Sequence, residues 1–355
     1  MPLRTDRTID RRQLLAAGAG AGVFLAGARS RAADKVTSLT VADPGGPYSP
    51  GFRKAFYDPF EKATGIRIIN VARDAEPTAQ FKAIVETKSY TWDVCTLTLS
   101  ARDILGKSDL LEPIGLEKTG VPGMMPDAIT PLWLGTDVYS TILGFRKDKF
   151  GENAPKSWAD FWDVKKFPGR RALRKNPIDT LEEALLADGV PLDKLYPLDV
   201  PRAFQSLDKI KAHVNVWWTG GAQSTQLIQS GEVDMLAMWN ARAQAAIDGG
   251  APVEIVWNQG IYSIEGWGIP KGCPRAEAAR QFVRFCGAAE QQALFAEQLA
   301  YGPTNLDAYR GLSAGRAAVL PTSPANLKVM VAASEDWWSA NRAAVTEQFN
   351  AWLLA

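Results

Sequence analysis

The feature that most constrains this chain is an alternation of strand-like and helix-like segments that starts at residue 36. Val36 to Val41 reads as a strand. A turn-rich stretch, Asp43-Pro44-Gly45-Gly46-Pro47-Tyr48-Ser49-Pro50, follows it. Phe52 to Lys62 reads as an amphipathic helix stopped at Thr64-Gly65, where glycine favours the left-handed turn that ends helices. Ile66 to Val71 is the next strand, Pro77 to Thr87 a helix and Trp92 to Thr98 a strand. A βαβαβ start of this kind predicts parallel strands joined by right-handed crossovers. Ligands in such sheets sit at the carboxyl ends of the strands. The Gly45–Tyr48 and Thr96–Ser100 loops therefore form a candidate binding edge.

A second series runs from about Gly144 to Gly260. Ser157 to Asp160 resembles a capping box. Arg171–Arg174, His213–Trp217, Asp234–Trp239 and Val253–Trp257 read as strands, and Tyr262–Ile269 as extended chain. Thr180–Ala187, Arg202–Ala212, Ala222–Ser230 and Ala241–Asp248 read as helices, the last two ended by Gly231 and by Gly249-Gly250. From Pro274 onward the chain is mainly helical, with a break at Gly302-Pro303. Two αβ units without a long linker, in 355 residues, predict a cleft between lobes where a small ligand binds.

The first 32 residues stand apart from this pattern. Arg7, Arg11 and Arg12 precede a Gly/Ala-rich apolar run from Leu14 to Ala28, and Ser30-Arg31-Ala32 offers a small-x-small cleavage pattern. The run is too short for a membrane span. Arg11-Arg12 followed by Gln13-Leu14-Leu15 resembles a twin-arginine export signal. Without residues 1–32 the chain holds 34 basic and 37 acidic residues, a net of about −3. That balance provides no electrostatic case for nucleic acid or anionic membranes. His213 is the single histidine and Cys95, Cys273 and Cys286 are the three cysteines, so a His/Cys zinc site is not expected, and neither a metal nor a cofactor is called for. In an oxidising compartment Cys273 and Cys286 could pair, leaving Cys95 in an apolar run.

Four strings carry a resemblance. They are Phe60-Glu61-Lys62-Ala63-Thr64-Gly65-Ile66, Ser157-Trp158-Ala159-Asp160-Phe161-Trp162, Gly231-Glu232-Val233-Asp234 leading to Met238-Trp239-Asn240, and Tyr301-Gly302-Pro303-Thr304-Asn305. In this order the chain resembles the periplasmic solute-binding proteins of ABC importers, in the spermidine/putrescine-binding branch that includes 4-aminobutyrate binders. The resemblance implies an α/β fold of two lobes (type II periplasmic binding protein) with the ligand cleft between them. It implies crossovers near Tyr139–Gly144 and Gly260–Gly268. Residues 33–140 and 263–355, with the C-terminal helix packed across them, would form one lobe and residues 141–262 the other. It also implies an exported, monomeric protein, without catalytic activity, whose partners are a small amine or amino-acid-like ligand and an ABC permease.

The resemblance places Trp239, Glu265 and Tyr301 where relatives hold an ammonium between rings and carboxylates, by cation–π attraction and charge-assisted hydrogen bonds. Core packing is the alternative reading of both rings. Tyr48 lies on the candidate edge, and Asp179, with Asn176, falls loosely where polyamine binders carry a second acidic cluster. Ser263 stands in place of an aromatic, and Leu97 and Leu99 in place of polar and aromatic residues, which argues against a long polyamine. Arg242 reads either as a solvated or Asp248-paired helix residue, or as a clamp on a ligand carboxylate. Gly220-Gly221 leads into Gln223 and Ser224, at a helix start whose N–H groups could meet an anion. Glu265 with Arg242 would hold both ends of a zwitterion such as 4-aminobutyrate, with a diamine such as putrescine as the competing ligand. A ferric-iron carrier of the same fold and a periplasmic enzyme are the competing functions. The iron binders' adjacent tyrosines and the common hydrolase motifs are missing from the sequence.

Overall fold

A computed structural model describes residues 36–74, 77–116 and 120–355. The expected signal segment, residues 1–32, lies outside them. The strands longer than two residues are β1 (Ser38–Asp43), β2 (Arg67–Ala72), β3 (Val94–Thr98), β4 (Trp133–Arg146), β5 (Arg171–Arg174), β6 (Val214–Trp218), β7 (Met235–Trp239) and β8 (Val253–Gly268). They form one mixed sheet in the order β2-β1-β3-β8-β4-β7-β5-β6. β1 pairs in parallel with β2 and β3, as the βαβαβ pattern predicts. β5 likewise pairs in parallel with β6 and β7.

The centre departs from the expectation. β4 and β8 are long and antiparallel to each other, and each is antiparallel to its outer neighbour, β7 and β3 respectively. Val253–Trp257 and Tyr262–Ile269 are thus parts of one strand, and the span 133–146 is another. Both are almost continuously buried over their crossing segments, so neither shows the alternation that marks a half-exposed strand. Their middles carry the chain between two halves of the core. One half gathers residues from β1 to β3 and from 264–320, including Phe52, Phe56, Trp267 and Phe282. The other gathers Phe145, Trp158, Leu185, Leu207 and Met235.

Local chemistry explains the element ends. Gly65, at φ 74°, ends the helix Asp58–Thr64. Thr98 caps a helix, α1 (Leu99–Lys107), by accepting from the Ala101 N–H. The Thr96–Ser100 segment is therefore a strand end running into a helix rather than a loop. Asn176 caps α2 (Pro177–Ala187), Gly220 precedes α3 (Gly221–Gln229), and α4 (Asn240–Asp248) follows β7 directly. The C-terminal helix α5 (Glu335–Leu354) sends Trp338, Val345 and Phe349 into the second core half, while Lys107 Nζ on α1 donates to its Ser339. It thus touches both halves, although the sequence led us to expect it across the first.

The three cysteines are free and buried. Cys286 ends the helix Ala276–Cys286, and Cys273 lies three residues before its first turn. A helix of that length spans about 16 Å at 1.5 Å per residue. A disulfide needs Cα atoms within about 7 Å, so the pairing considered from sequence is not available to this fold. Among the described residues no helix is long and apolar enough to cross a membrane.

Candidate functional site

A cavity of about 330 Å³ opens where the strand ends of both core halves meet the middles of β4 and β8. Tyr48, Asp179, Trp239, Arg242, Glu265 and Tyr301 line it. Six of the eight residues expected from the sequence are thereby brought together. Gln223 and Ser224 are not among them. Gln223 is exposed and accepts from the Thr219 N–H, and Ser224 Oγ donates to the Gly221 carbonyl. Both side chains serve the start of their own helix. Asn176 is also used locally, as the cap of α2.

The first wall is built on Asp43 at the end of β1. Its carboxylate accepts from the Gly45 N–H at 2.8 Å, Ser49 Oγ at 2.6 Å and the Tyr57 hydroxyl at 2.9 Å. This ties down a turn in which Gly45 and Gly46 take φ of 71° and 54°, a conformation that favours glycine. The turn delivers Tyr48 against Tyr301, with ring centroids 4.9 Å apart. Behind them Arg73 forms an ion pair with Glu265 and donates from Nε to Thr96 Oγ1 at 2.9 Å. The Arg73 and Glu265 side chains are only 3% and 7% exposed. Glu265, expected to be an open acid, is therefore already matched by a cation.

The second wall comes from the carboxyl ends of β5 and β7. Trp239 ends β7 and meets Trp218 edge-on at 5.5 Å. The Arg174 guanidinium lies 5.0 Å from the Trp239 ring centroid and donates to Asp179 at 3.0 Å. Thr141 Oγ1 on β4 donates to the same Asp179 oxygen at 3.0 Å. Asp179 sits at φ 72°, ψ −46°, a strained backbone position for a side-chain-bearing residue. Arg242 opens into the cavity from the first turn of α4. Its Nε and the Trp239 Nε1 are buried and have no hydrogen-bond partner among the described residues. Asp248, the alternative partner for Arg242, instead accepts from Gln244 at 2.8 Å. Buried donors of this kind are costly unless something meets them.

The third wall is α5, which contributes Glu335, Trp338 and Arg342. Ser263 Oγ on β8 donates to Glu335 at 2.7 Å. Burial pushes the Glu335 carboxyl up to about 7, the Ser263 hydrogen bond and Arg102 counter that, and Asp103 adds to it. Arg73, Arg174, Arg242 and Arg342 face three lining acids, Asp179, Glu265 and Glu335. The lining thus carries one more cation than anion.

Several of these residues escaped the sequence. Arg73 follows β2 and Arg174 ends β5, both at carboxyl ends of parallel strands, so the strand-end rule held a usable signal. Thr98 and Ser100 face the cavity while Leu97 and Leu99 turn into the core, so the apolar pair expected at the site does not face it. Glu335 and Arg342 had no local signal, because only the tertiary path of α5 brings them in.

The family described as bacterial extracellular solute-binding protein matches residues 55–350. This chain belongs to that family. The solute-binding protein is 35% identical over 323 residues to a gamma-aminobutyric acid-binding protein of Pseudomonas aeruginosa, covering 89% of this chain and 90% of that one. It is 25% identical over 264 residues to a spermidine/putrescine-binding periplasmic protein of Escherichia coli, covering 72% and 75%. Its structure resembles that of an ABC transporter substrate-binding protein from Bradyrhizobium japonicum, with a TM-score of 0.84, 38% identity, and coverage of 89% and 99%. The α/β two-lobe binding-protein fold and the role of a solute-binding component of an ABC transporter, both expected from the four sequence strings, accord with these likenesses.

Proposed function

We propose that this solute-binding protein captures a small amine that also carries a carboxylate, of the 4-aminobutyrate type, and presents it to an ABC permease. The observation that carries this reading is the buried, unpartnered Nε of Arg242, facing across the cavity a wall that holds Glu265. A carboxylate on the ligand would meet Arg242 and the helix start of α4, and an ammonium would lie against Glu265 with Tyr48, Tyr301 and Trp239 around it. The surplus of cations in the lining favours a ligand with a carboxylate over a diamine. The higher identity to a gamma-aminobutyric acid binder than to polyamine binders supports the same choice. A ligand touching both lobes stabilises the closed arrangement, and no bond is made or broken.

In this reading residues 1–32 direct export to the periplasm by the twin-arginine route and are cleaved near Ala32. The protein acts as a monomer. Residues 33–140 with 263–355 form one lobe and residues 141–262 the other. The test is a thermal-shift panel on residues 33–355 with 4-aminobutyrate, putrescine, spermidine and the common amino acids. A ligand at a hundredfold its Kd adds about 2.7 kcal/mol, a visible rise in Tm. A rise with 4-aminobutyrate or another zwitterion is the expected outcome. A rise with polyamines alone would return Arg242 to a structural role.

A further inference from the structure

Asp137 on β4 stands directly opposite Glu265 on β8, as a cross-strand pair in register. Two residues along, Tyr139 stands opposite Ser263, and both line the cavity. Alternate residues of a strand share a face, so Asp137 lies on the cavity face of the sheet, one step deeper than the lining. It is fully buried, and neither carboxylate oxygen makes a regular hydrogen bond among the described residues, the Tyr48 hydroxyl being the one donor near enough to steady its charge. The charged and titratable groups acting on it are Glu265 from β8, Arg73 from the end of β2, and Tyr48. Tyr301, whose hydroxyl engages Tyr48, feels its charge in turn.

Glu265 and Arg73 neutralise each other, so an ammonium approaching Glu265 meets a pair with no net charge. A cation taken from water into a buried place needs an uncompensated anion near it. Asp137 is the one further carboxylate that the sheet register places there. Two adjacent carboxylates sharing one buried arginine do not both stay ionised. Burial pushes the Asp137 carboxyl well up, and the neighbouring Glu265 adds to that.

We propose that Asp137 supplies the negative charge of the amine seat from behind Glu265, and that capture of an ammonium ligand drives a proton off it. The inference rests on the amine reading of the cavity. The balance is simple: the protonated acid plus a ligand ammonium gives the carboxylate with the ammonium against it, and one proton goes to solvent. Asp137 is thus a positioning residue that sets the charge of the seat without lining it.

The experiment is calorimetric titration of the purified protein with 4-aminobutyrate and, separately, putrescine, each in phosphate and in Tris. The difference in apparent enthalpy between the buffers reads proton exchange. We expect release approaching one proton per ligand and an affinity that rises with pH, by up to tenfold per unit. Asp137→Asn should abolish the release and flatten the pH dependence. Binding of either amine without proton exchange by the unmodified protein would overturn the proposal while leaving the amine reading in place. So would release that persists in Asp137→Asn. If neither amine bound, the amine reading would fail and this one with it.

Discussion

The two ends of the cavity use the same chemical groups in opposite ways. On the first-lobe wall, Arg73 and Glu265 are nearly inaccessible and paired to each other, with Thr96 taking a further Arg73 donor. On the second-lobe wall, Arg242 has a buried Nε that nothing in the described protein meets. A charge that is already matched belongs to the fold, whereas an unmatched one is available to a ligand. The contrast predicts where substitution will be felt. Glu265→Gln removes the carboxylate paired with a buried guanidinium, a change that costs up to about 3–5 kcal/mol and less where Asp137 takes over as the anion. Chemical denaturation of the ligand-free protein reads this directly. A change below about 1 kcal/mol would mean that the Arg73–Glu265 pair is solvated and that the two ends do not differ.

Between the ends sits Glu335, held by Ser263 with a carboxyl lifted to about 7 from 4.5, mainly by burial. A raised carboxyl keeps its proton in the folded protein at a pH where the unfolded chain has lost it. Stability on its account is therefore full below about 4.5 and declines as pH rises through about 7. A shift of that size corresponds to a loss on the order of 3 kcal/mol. Glu182, pushed up to about 8 by burial and then by Asp179, acts in the same direction. Denaturation of the unmodified protein between pH 4 and 8 should show the decline, and Glu335→Gln should remove part of it, the rest belonging to Glu182 and the other buried acids. An unchanged slope in that variant would place Glu335 in contact with solvent.

Arg242→Ala is the converse of the Glu265 test. It removes a half-buried arginine whose Nε nothing in the described protein meets, so the ligand-free protein should keep its stability or gain slightly. Binding of a carboxylate ligand should lose about 1.5–3 kcal/mol, roughly ten- to a hundredfold in Kd. A diamine, which offers no carboxylate, should bind as before. Equal losses for 4-aminobutyrate and putrescine would show that Arg242 shapes the site without clamping a carboxylate.

What could be read before folding follows the range of the interactions. The strand Arg171–Arg174 and the helices near 180–187 and 241–248 depend on local pattern and end signals, and they fall where expected to within a few residues. Trp239 and Tyr301 carried a string-level signal, and both line the cavity. Arg73 and Glu265 are 192 residues apart, so nothing near either one announces the pair. The central strand Trp133–Arg146 hid for a different reason: burial on both faces erases the alternation that marks a strand. The helix Leu99–Lys107 had a visible cap in Thr98, but its first turn was read as loop because the chain there follows a buried strand.

Gly221 gives the finest test of the second-lobe wall. The sequence suggested that Gly220-Gly221 admits a ligand to the backbone. In the structure a Cβ at Gly221 would lie 2.8 Å from both Arg242 Nε and the Trp239 ring, so this glycine lets those two side chains reach the cavity. Its backbone angle is open to any residue, which leaves the close approach as the reason for glycine. Gly221→Ala would force the indole and guanidinium to shift by a few tenths of an ångström or more. The cost of such overpacking is typically about 1–3 kcal/mol, partly offset here because alanine is the better helix former at the first position of α3. The net loss of stability should be about 1 kcal/mol. Binding should fall for carboxylate and diamine ligands alike, because Trp239 serves both, and that parallel loss separates this variant from Arg242→Ala. If only the carboxylate ligand weakened, the guanidinium alone would have moved, and Trp239 would be a core residue rather than a wall of the site.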